Sequence, residues 1–161
     1  MRRGAPTSHD LAGMEYALRL ARAAAVRDEV PVGCVVMSGS EVLGEAHNET
    51  IQRGDPMAHA EILALQRAMQ AGHGERLSQA TLYVTLEPCA QCAGGIVLAK
   101  VGRVVFGAWD QRAGMAGSVY DILRNPRLNH RPEVVAGVLA AECGGLLTEF
   151  FALRRTAEEP R

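Results

Sequence analysis

Cys89 and Cys92 stand three residues apart, directly after Pro88. At the start of a helix that spacing puts both sulfurs on one side of the first turn. The unpaired amides there lower thiol pKa values and favour thiolates. Two thiolates facing one point suit zinc. Taken alone, the pair suits a thioredoxin-like redox couple or a chance occurrence equally well. His59 and Glu61 lie at the start of another helical stretch, where His59 can supply a third ligand. A lone histidine is usually a surface or satisfied core residue, and a lone glutamate is usually solvated helix surface. The whole string, Pro56-x-x-His59-x-Glu61 and later Pro88-Cys89-x-x-Cys92, says more. Three protein ligands leave a fourth position open, as in catalytic zinc sites. Zinc lowers the pKa of a bound water from about 15.7 to about 7. Attack on an electron-poor ring carbon bearing an amino group then needs a carboxylate to move protons. Glu61 suits that work and is expected to stay off the metal. It points about 200° round the helix axis from His59, yet in a first turn both can border one cavity.

The elements that must position these residues are readable from local pattern. Thr7 to Asp10 reads as a capping box, followed by an apolar face of Leu11, Met14, Leu18, Ala21 and Ala25 that stops near Val30-Pro31. Val32–Met37 and Glu41–His47 read as a hairpin around Ser38-Gly39-Ser40. Asn48–Met57 reads as a loop. A helix follows from Ala58, with a stripe of Ile62, Leu63, Leu65, Ala68 and Met69 and a stop at Gly72. Thr81–Thr85 is a strand, Ala90–Ala99 a short helix and Arg103–Gly107 a strand. Gly114–Arg131 is irregular, with one helical turn around Val119–Leu123. Glu133–Val138 is a fifth strand. A last helix runs from Leu139 to about Arg155, and a polar, frayed tail follows. This order predicts an α/β protein, a three-layer α/β/α sandwich around a mixed five-stranded sheet. Sites in such sheets gather at strand ends, where both motifs fall.

Composition sets the outer bounds. The 161 residues fit a single domain, with a core over about residues 8–155. Hydrophobic residues at 48% and charged residues at 22% exclude a disordered or fibrous chain. A net charge of −1 excludes a general nucleic-acid coat and leaves room for a local basic patch. Met1-Arg2-Arg3-Gly4 opens no secretory leader, and no run approaches the ~20 apolar residues of a membrane span. A reducing cytoplasm is therefore expected. Cys34 and Cys143 read as small core hydrophobes. His9 and His73 read as surface residues, His47 as structural, and His130 as a turn-stabilising hydrogen-bonding group. Arg124, Arg127, Arg131, Arg154 and Arg155 are either a solvated surface or phosphate contacts. Gly94-Gly95 inside a helix implies close packing, with a second subunit as one partner.

The strings Asp55-Pro56-Met57-Ala58-His59-Ala60-Glu61-Ile62 and Thr85-Leu86-Glu87-Pro88-Cys89-Ala90-Gln91-Cys92-Ala93-Gly94 resemble the zinc-dependent nucleoside and nucleobase deaminases. The outer segments are similar to the bacterial tRNA-specific adenosine deaminases. They include Glu29-Val30-Pro31-Val32-Gly33, Gly102–Ala108, Ala116-Gly117-Ser118, Asn129-His130-Arg131 and Phe150-Phe151 with Arg154-Arg155. The resemblance implies a cytidine deaminase-like fold, one Zn2+ per subunit, a homodimer, and conversion of adenosine to inosine at the wobble position of a tRNA anticodon stem-loop. It further implies that Asn48 holds the flipped-out nucleoside, that Val30 and the backbone at Ala60 line its pocket, and that Phe151, Arg154 and Arg155 contact RNA. Trp109, before Asp110, departs from the basic or small polar residue common there. It can stack on a splayed base or serve as a part-buried aromatic at a strand end. Other readings are a deaminase of a free base or nucleoside (guanine, cytosine or adenine), a non-catalytic zinc module that binds nucleic acid, and a thiol redox protein.

Overall fold

A computed structural model describes residues 5–158. In chain order the elements are α1 (Ser8–Val26), β1 (Gly33–Ser38), β2 (Glu41–His47), α2 (Thr50–Arg53), α3 (Ala60–Gln70), a 3-10 turn (Gly74–Gln79), β3 (Thr81–Leu86), α4 (Ala90–Leu98), β4 (Arg103–Ala108), β5 (Glu133–Ala136) and α5 (Ala140–Glu158). The strands form one sheet in the order β2-β1-β3-β4-β5. β1 runs antiparallel to β2 and β3, whereas β3, β4 and β5 are parallel. The predicted mixed five-stranded sheet is thus present.

Alternation along the strands splits the core into two layers. Val35, Tyr83 and Val105 face α1 and α5. Val36, Leu82, Val84, Val104 and Phe106 face α3 and α4. The helices come unusually close at two strand glycines. A Cβ on Gly33 would lie 2.0 Å from the Ala17 carbonyl oxygen, and one on Gly44 would lie 2.3 Å from that of Ala64. Only a residue without a side chain lets helix backbone settle there.

That closeness corrects the expected helix faces. α1 buries Met14, Ala17, Leu18, Ala21 and Ala24, while Leu11 is exposed. α3 buries Leu63, Ala64, Leu65 and Ala68, while Met69 is exposed. Small residues are selected because they touch the sheet. The capping box at Thr7 and Asp10 is formed as expected. α2 lies inside the segment expected to be a loop, because buried Glu29 supplies acceptors to its first amides. No helical turn spans Val119–Leu123. An isolated bridge between Ala116 and Asp121 takes its place, since the amides of Ala116 and Ser118 donate to the Glu87 carboxylate. β5 stops at Ala136, two residues early, and α5 continues to Glu158, past the expected end. The remainder of the expected tail, residues 159–161, lies outside the described residues.

Candidate active site

Two helix starts and the ends of β2 and β3 converge on the site. β3 ends at Leu86, and Glu87-Pro88 then leads into α4 with Cys89 as its N-cap. His59 is the N-cap of α3. α3 and α4 pack on the same face of the sheet, so the two helix starts bring imidazole and thiols together. His59 Nδ1 lies 3.5 Å from Cys89 Sγ and 3.5 Å from Cys92 Sγ. All three ligand atoms fall within 4.8 Å of one another. This group could hold a metal ion, and Nδ1 is the histidine nitrogen that faces the sulfurs.

The electrostatics favour a cation there. The hydrogen bond from Cys92, reinforced by His59, lowers the Cys89 pKa to about 4. Cys92 is raised by sharing its proton with Cys89 and by burial. His59 is raised by its hydrogen bond to Cys89, against the effect of burial. A thiol held low beside a second sulfur and an imidazole is the usual chemistry of a metal-ligand set.

Glu61 sits two positions beyond His59 and is only 4% exposed. Burial raises its pKa to about 7. Its charge also reaches Cys34 on β1, whose thiol is raised chiefly by burial. A carboxyl group poised near neutrality beside a ligand cluster is suited to both accepting and donating a proton.

Asn48 follows β2 and is 8% exposed. Its Oδ1 accepts from the Ala60 amide at 3.1 Å, and its backbone N–H donates to the Val32 carbonyl at 3.1 Å. The side chain is therefore fixed beside the start of α3. Val30 is half-buried and packs on the α3–α4 side of the core. Ala60 is fully buried, and its N–H is already taken by Asn48.

Sequence reasoning missed two buried carboxylates that frame this site. Glu87, 2% exposed, accepts from the amides of Asp110 at 2.9 Å, Ala116 at 3.0 Å and Ser118 at 3.0 Å, and from the Ser118 hydroxyl. It moulds residues 110–118 against Pro88, whose carbonyl accepts from Met115 at 2.8 Å. Glu29, fully buried, accepts from Gln52 at 2.6 Å and Ile51 at 3.2 Å. The available signal was an acidic residue directly before an apolar, proline-containing stretch in each case, Glu29 before Val30-Pro31-Val32 and Glu87 before Pro88.

The remaining candidates are dispersed. Trp109 follows β4 and is 37% exposed. Its ring meets Phe106 edge-on, with centroids 4.9 Å apart. Asp110 closes a turn, its Oδ1 accepting from Arg112 and Ala113. Phe151 and Arg155 are exposed on α5, and half-exposed Arg154 donates to the Asp28 carbonyl. These α5 residues belong to the layer opposite α3 and α4. Arg124 is engaged with Asp121 and the Ala116 carbonyl. His130 Nε2 lies 2.6 Å from the Val101 carbonyl, the turn role expected of it. Cys143 packs under Gly107, and burial pushes its thiol up to about 12.

Comparison with known proteins gives a consistent result. The family model described as MafB19-like deaminase matches residues 8–155. The tRNA-specific adenosine deaminase of Bacillus subtilis is 48% identical over 140 residues, covering 86% of each chain. That of Haemophilus influenzae is 45% identical over 143 residues, covering 88% of this chain and 83% of its own. A solved structure from work on A-to-I editing by tRNA:A34 deaminases at the wobble position superimposes with a TM-score of 0.79 at 40% identity. It covers 84% of this chain and 99% of its own. With its cytidine deaminase-like sheet and this degree of identity, the chain belongs to the MafB19-like deaminases and, among them, to the tRNA-specific adenosine deaminase family.

Proposed function

We propose that the protein hydrolyses the amino group of adenosine to give inosine at the wobble position of tRNA anticodon loops. The observation that carries this reading is the buried Glu61 carboxyl beside the His59, Cys89 and Cys92 cluster. The names of the relatives supply the substrate class. An anticodon loop offers unstacked bases that a tight pocket can take up.

His59, Cys89 and Cys92 would hold one zinc ion. Bonds of about 2.3 Å to sulfur and about 2.05 Å to nitrogen, at tetrahedral angles, imply N···S separations of about 3.6 Å. The observed separations are both 3.5 Å, which supports the fit. When bound, zinc supplies a Lewis acid that makes water nucleophilic near neutral pH.

The chain's own residues do the rest. Glu61 takes a proton from the attacking water and delivers it to the ring nitrogen next to the reacting carbon. As the carbon–oxygen bond forms and the carbon–nitrogen bond breaks, Glu61 carries the second proton to the leaving ammonia. Burial keeps its carboxyl near the pKa at which both transfers are easy. Asn48 presents an amide NH2 that, among the described residues, has no protein partner, and it would hold the nucleoside. Val30 and the Ala60 backbone would form the wall. Trp109, Asp110, Phe151 and Arg155 would border the flanking RNA.

The chain acts as a single catalytic domain in this reading, and would meet a tRNA substrate in the cytoplasm. No helix among the described residues is long and apolar enough to cross a membrane. A homodimer is supported by an uncovered face of α4 bearing Ala90, Gly94 and Leu98, the last 83% exposed. Met57, 62% exposed, extends that face, tied to it by the Gln91 side chain.

The test is Glu61→Ala, assayed for inosine in an ACG-anticodon tRNA with zinc content measured in parallel. Loss of a positioned acid–base group lowers turnover by about 10²–10⁴-fold, so activity should vanish while zinc stays bound. A variant that keeps near-normal turnover refutes the proton-shuttle role.

A further inference from the structure

α5 ends beside the turn that joins α1 to β1, across a groove of about 340 Å³ lined by Ala25, Asp28, Leu146, Phe150 and Leu153. Arg154 bridges it. Its Nη2 donates to the Asp28 carbonyl at 2.8 Å, and its guanidinium lies 4.6 Å above the Phe150 ring centroid. Phe150 itself is nearly buried. An arginine aimed at RNA would project from the helix, whereas this half-exposed one lies along the protein surface, with Nη2 on the Asp28 carbonyl and one face over the Phe150 ring.

The turn it grips is short and heavily used. Asp28 adopts φ +58°, a left-handed conformation that a non-glycine residue holds only when its surroundings enforce it. The next residue, Glu29, receives the amides of Ile51 and Gln52 and so fixes α2. Val30 follows, and Val32 accepts the Asn48 amide. Five consecutive positions thus tie α5, α2, the pocket wall and Asn48 together.

We propose that Arg154 is a positioning residue that clamps the end of α5 onto the Asp28 carbonyl and thereby sets the turn carrying Glu29 and Val30. The effect on deamination rests on the adenosine-deaminase reading above; the effect on the turn does not. The clamp depends on a planar group that bonds at its edge and stacks on its face, which an ammonium cannot reproduce. A phosphate contact depends mainly on charge, which lysine keeps.

The test uses the full-length, zinc-loaded protein with Arg154→Lys and Arg154→Met. Hydrogen exchange is read in peptides covering residues 27–32 and 48–53 without RNA. Turnover of an anticodon stem-loop is measured across a salt series. In both variants exchange in these segments should quicken by about fivefold or more, and kcat should fall by about 5–20-fold. The salt dependence of kcat/KM should stay that of the parent. Unchanged exchange in Arg154→Met overturns the clamp. So does rescue by lysine combined with a rise in KM alone and a salt slope shallower by about 0.7, the signature of one lost phosphate contact on single-stranded RNA. Phe150→Leu, which removes the stacking face and leaves the charge, provides the same exchange readout should the methionine variant fail to fold. A parent enzyme that makes no inosine would refute the substrate reading, and the exchange data would still decide the clamp.

Discussion

Glu87→Gln is expected to destabilise the protein by about 3 kcal/mol, although it removes only a charge and one acceptor. Oε1 of Glu87 accepts from the amides of Ala116 and Ser118, while Oε2 accepts from the Asp110 amide and the Ser118 hydroxyl. A glutamine must point its NH2 at one of these pairs. The better choice keeps the two amide bonds at Oε1 and turns the NH2 toward Ser118 Oγ, which can rotate to accept. The Asp110 N–H then faces another donor. One orphaned buried amide costs about 1–3 kcal/mol, and the surviving bonds lose the roughly twofold strength that charge gives them. For a chain of this length, about 3 kcal/mol lowers Tm by roughly 6–12 °C. Thermal and urea unfolding followed by far-UV circular dichroism would read it. The single tryptophan, Trp109, whose ring sits against Gly117, reports locally on the same loop. Ser118→Ala, which forfeits one charge-assisted bond and leaves no amide orphaned, should cost about 1.5 kcal/mol. A Glu87→Gln protein within about 0.5 kcal/mol of the parent would refute the reasoning, as would a serine variant equally damaged.

Two further outcomes are open to simple measurement. Leu98→Glu puts a charge on the uncovered face of α4, so light scattering should show the parent as two chains and the variant as one; a monomeric parent refutes the proposed dimer. Asp10→Asn should cost about 2 kcal/mol at neutral pH, because Asp10 is buried and holds both Arg103 and the Thr7 amide. Burial alone would raise the Asp10 pKa, but Arg103 and Thr7 together hold it below the usual carboxylate value. Its stabilisation is therefore complete above the unfolded value of about 3.9 and lost as pH falls through the lower folded value. The stability gap between parent and variant in urea titrations should close only below about pH 4. A gap that closes at higher pH would contradict the assignment.

What could be read from the sequence was local. The capping box at Thr7 and Asp10 spans four residues and needs no partner elsewhere. The strands and the two helix starts bearing His59 and Cys89 announce themselves by alternation and by proline. The family strings were legible because both lie in short, contiguous stretches. The failures are tertiary. α2 is four residues long and has no buried residue, so only Glu29, more than twenty residues earlier, makes it a helix. The stretch Val119–Leu123 has apolar spacing that suits a helical turn, yet Glu87 draws the preceding amides away. Leu11 and Met69 match helical periodicity but lose their places to alanines, because Gly33 and Gly44 bring the helices too near the sheet for larger side chains. Arg154 reads as a surface cation in any linear inspection. Its stacking on Phe150 joins residues four apart on α5, whereas its bond to Asp28 exists only once α5 lies beside α1.

The bond from the Ala60 amide to Asn48 Oδ1 has a consequence for how this protein can diverge. α3 starts with a histidine whose ring is committed elsewhere, so the duty of satisfying its first amide falls to a side chain twelve positions upstream. Any substitution at position 48 therefore reports on two things at once, the start of a helix and whatever occupies the cavity. Aspartate separates them, since it retains the acceptor while replacing a donor with negative charge. Drift toward other bases at this position is thereby channelled through the few residue types that still seat the helix.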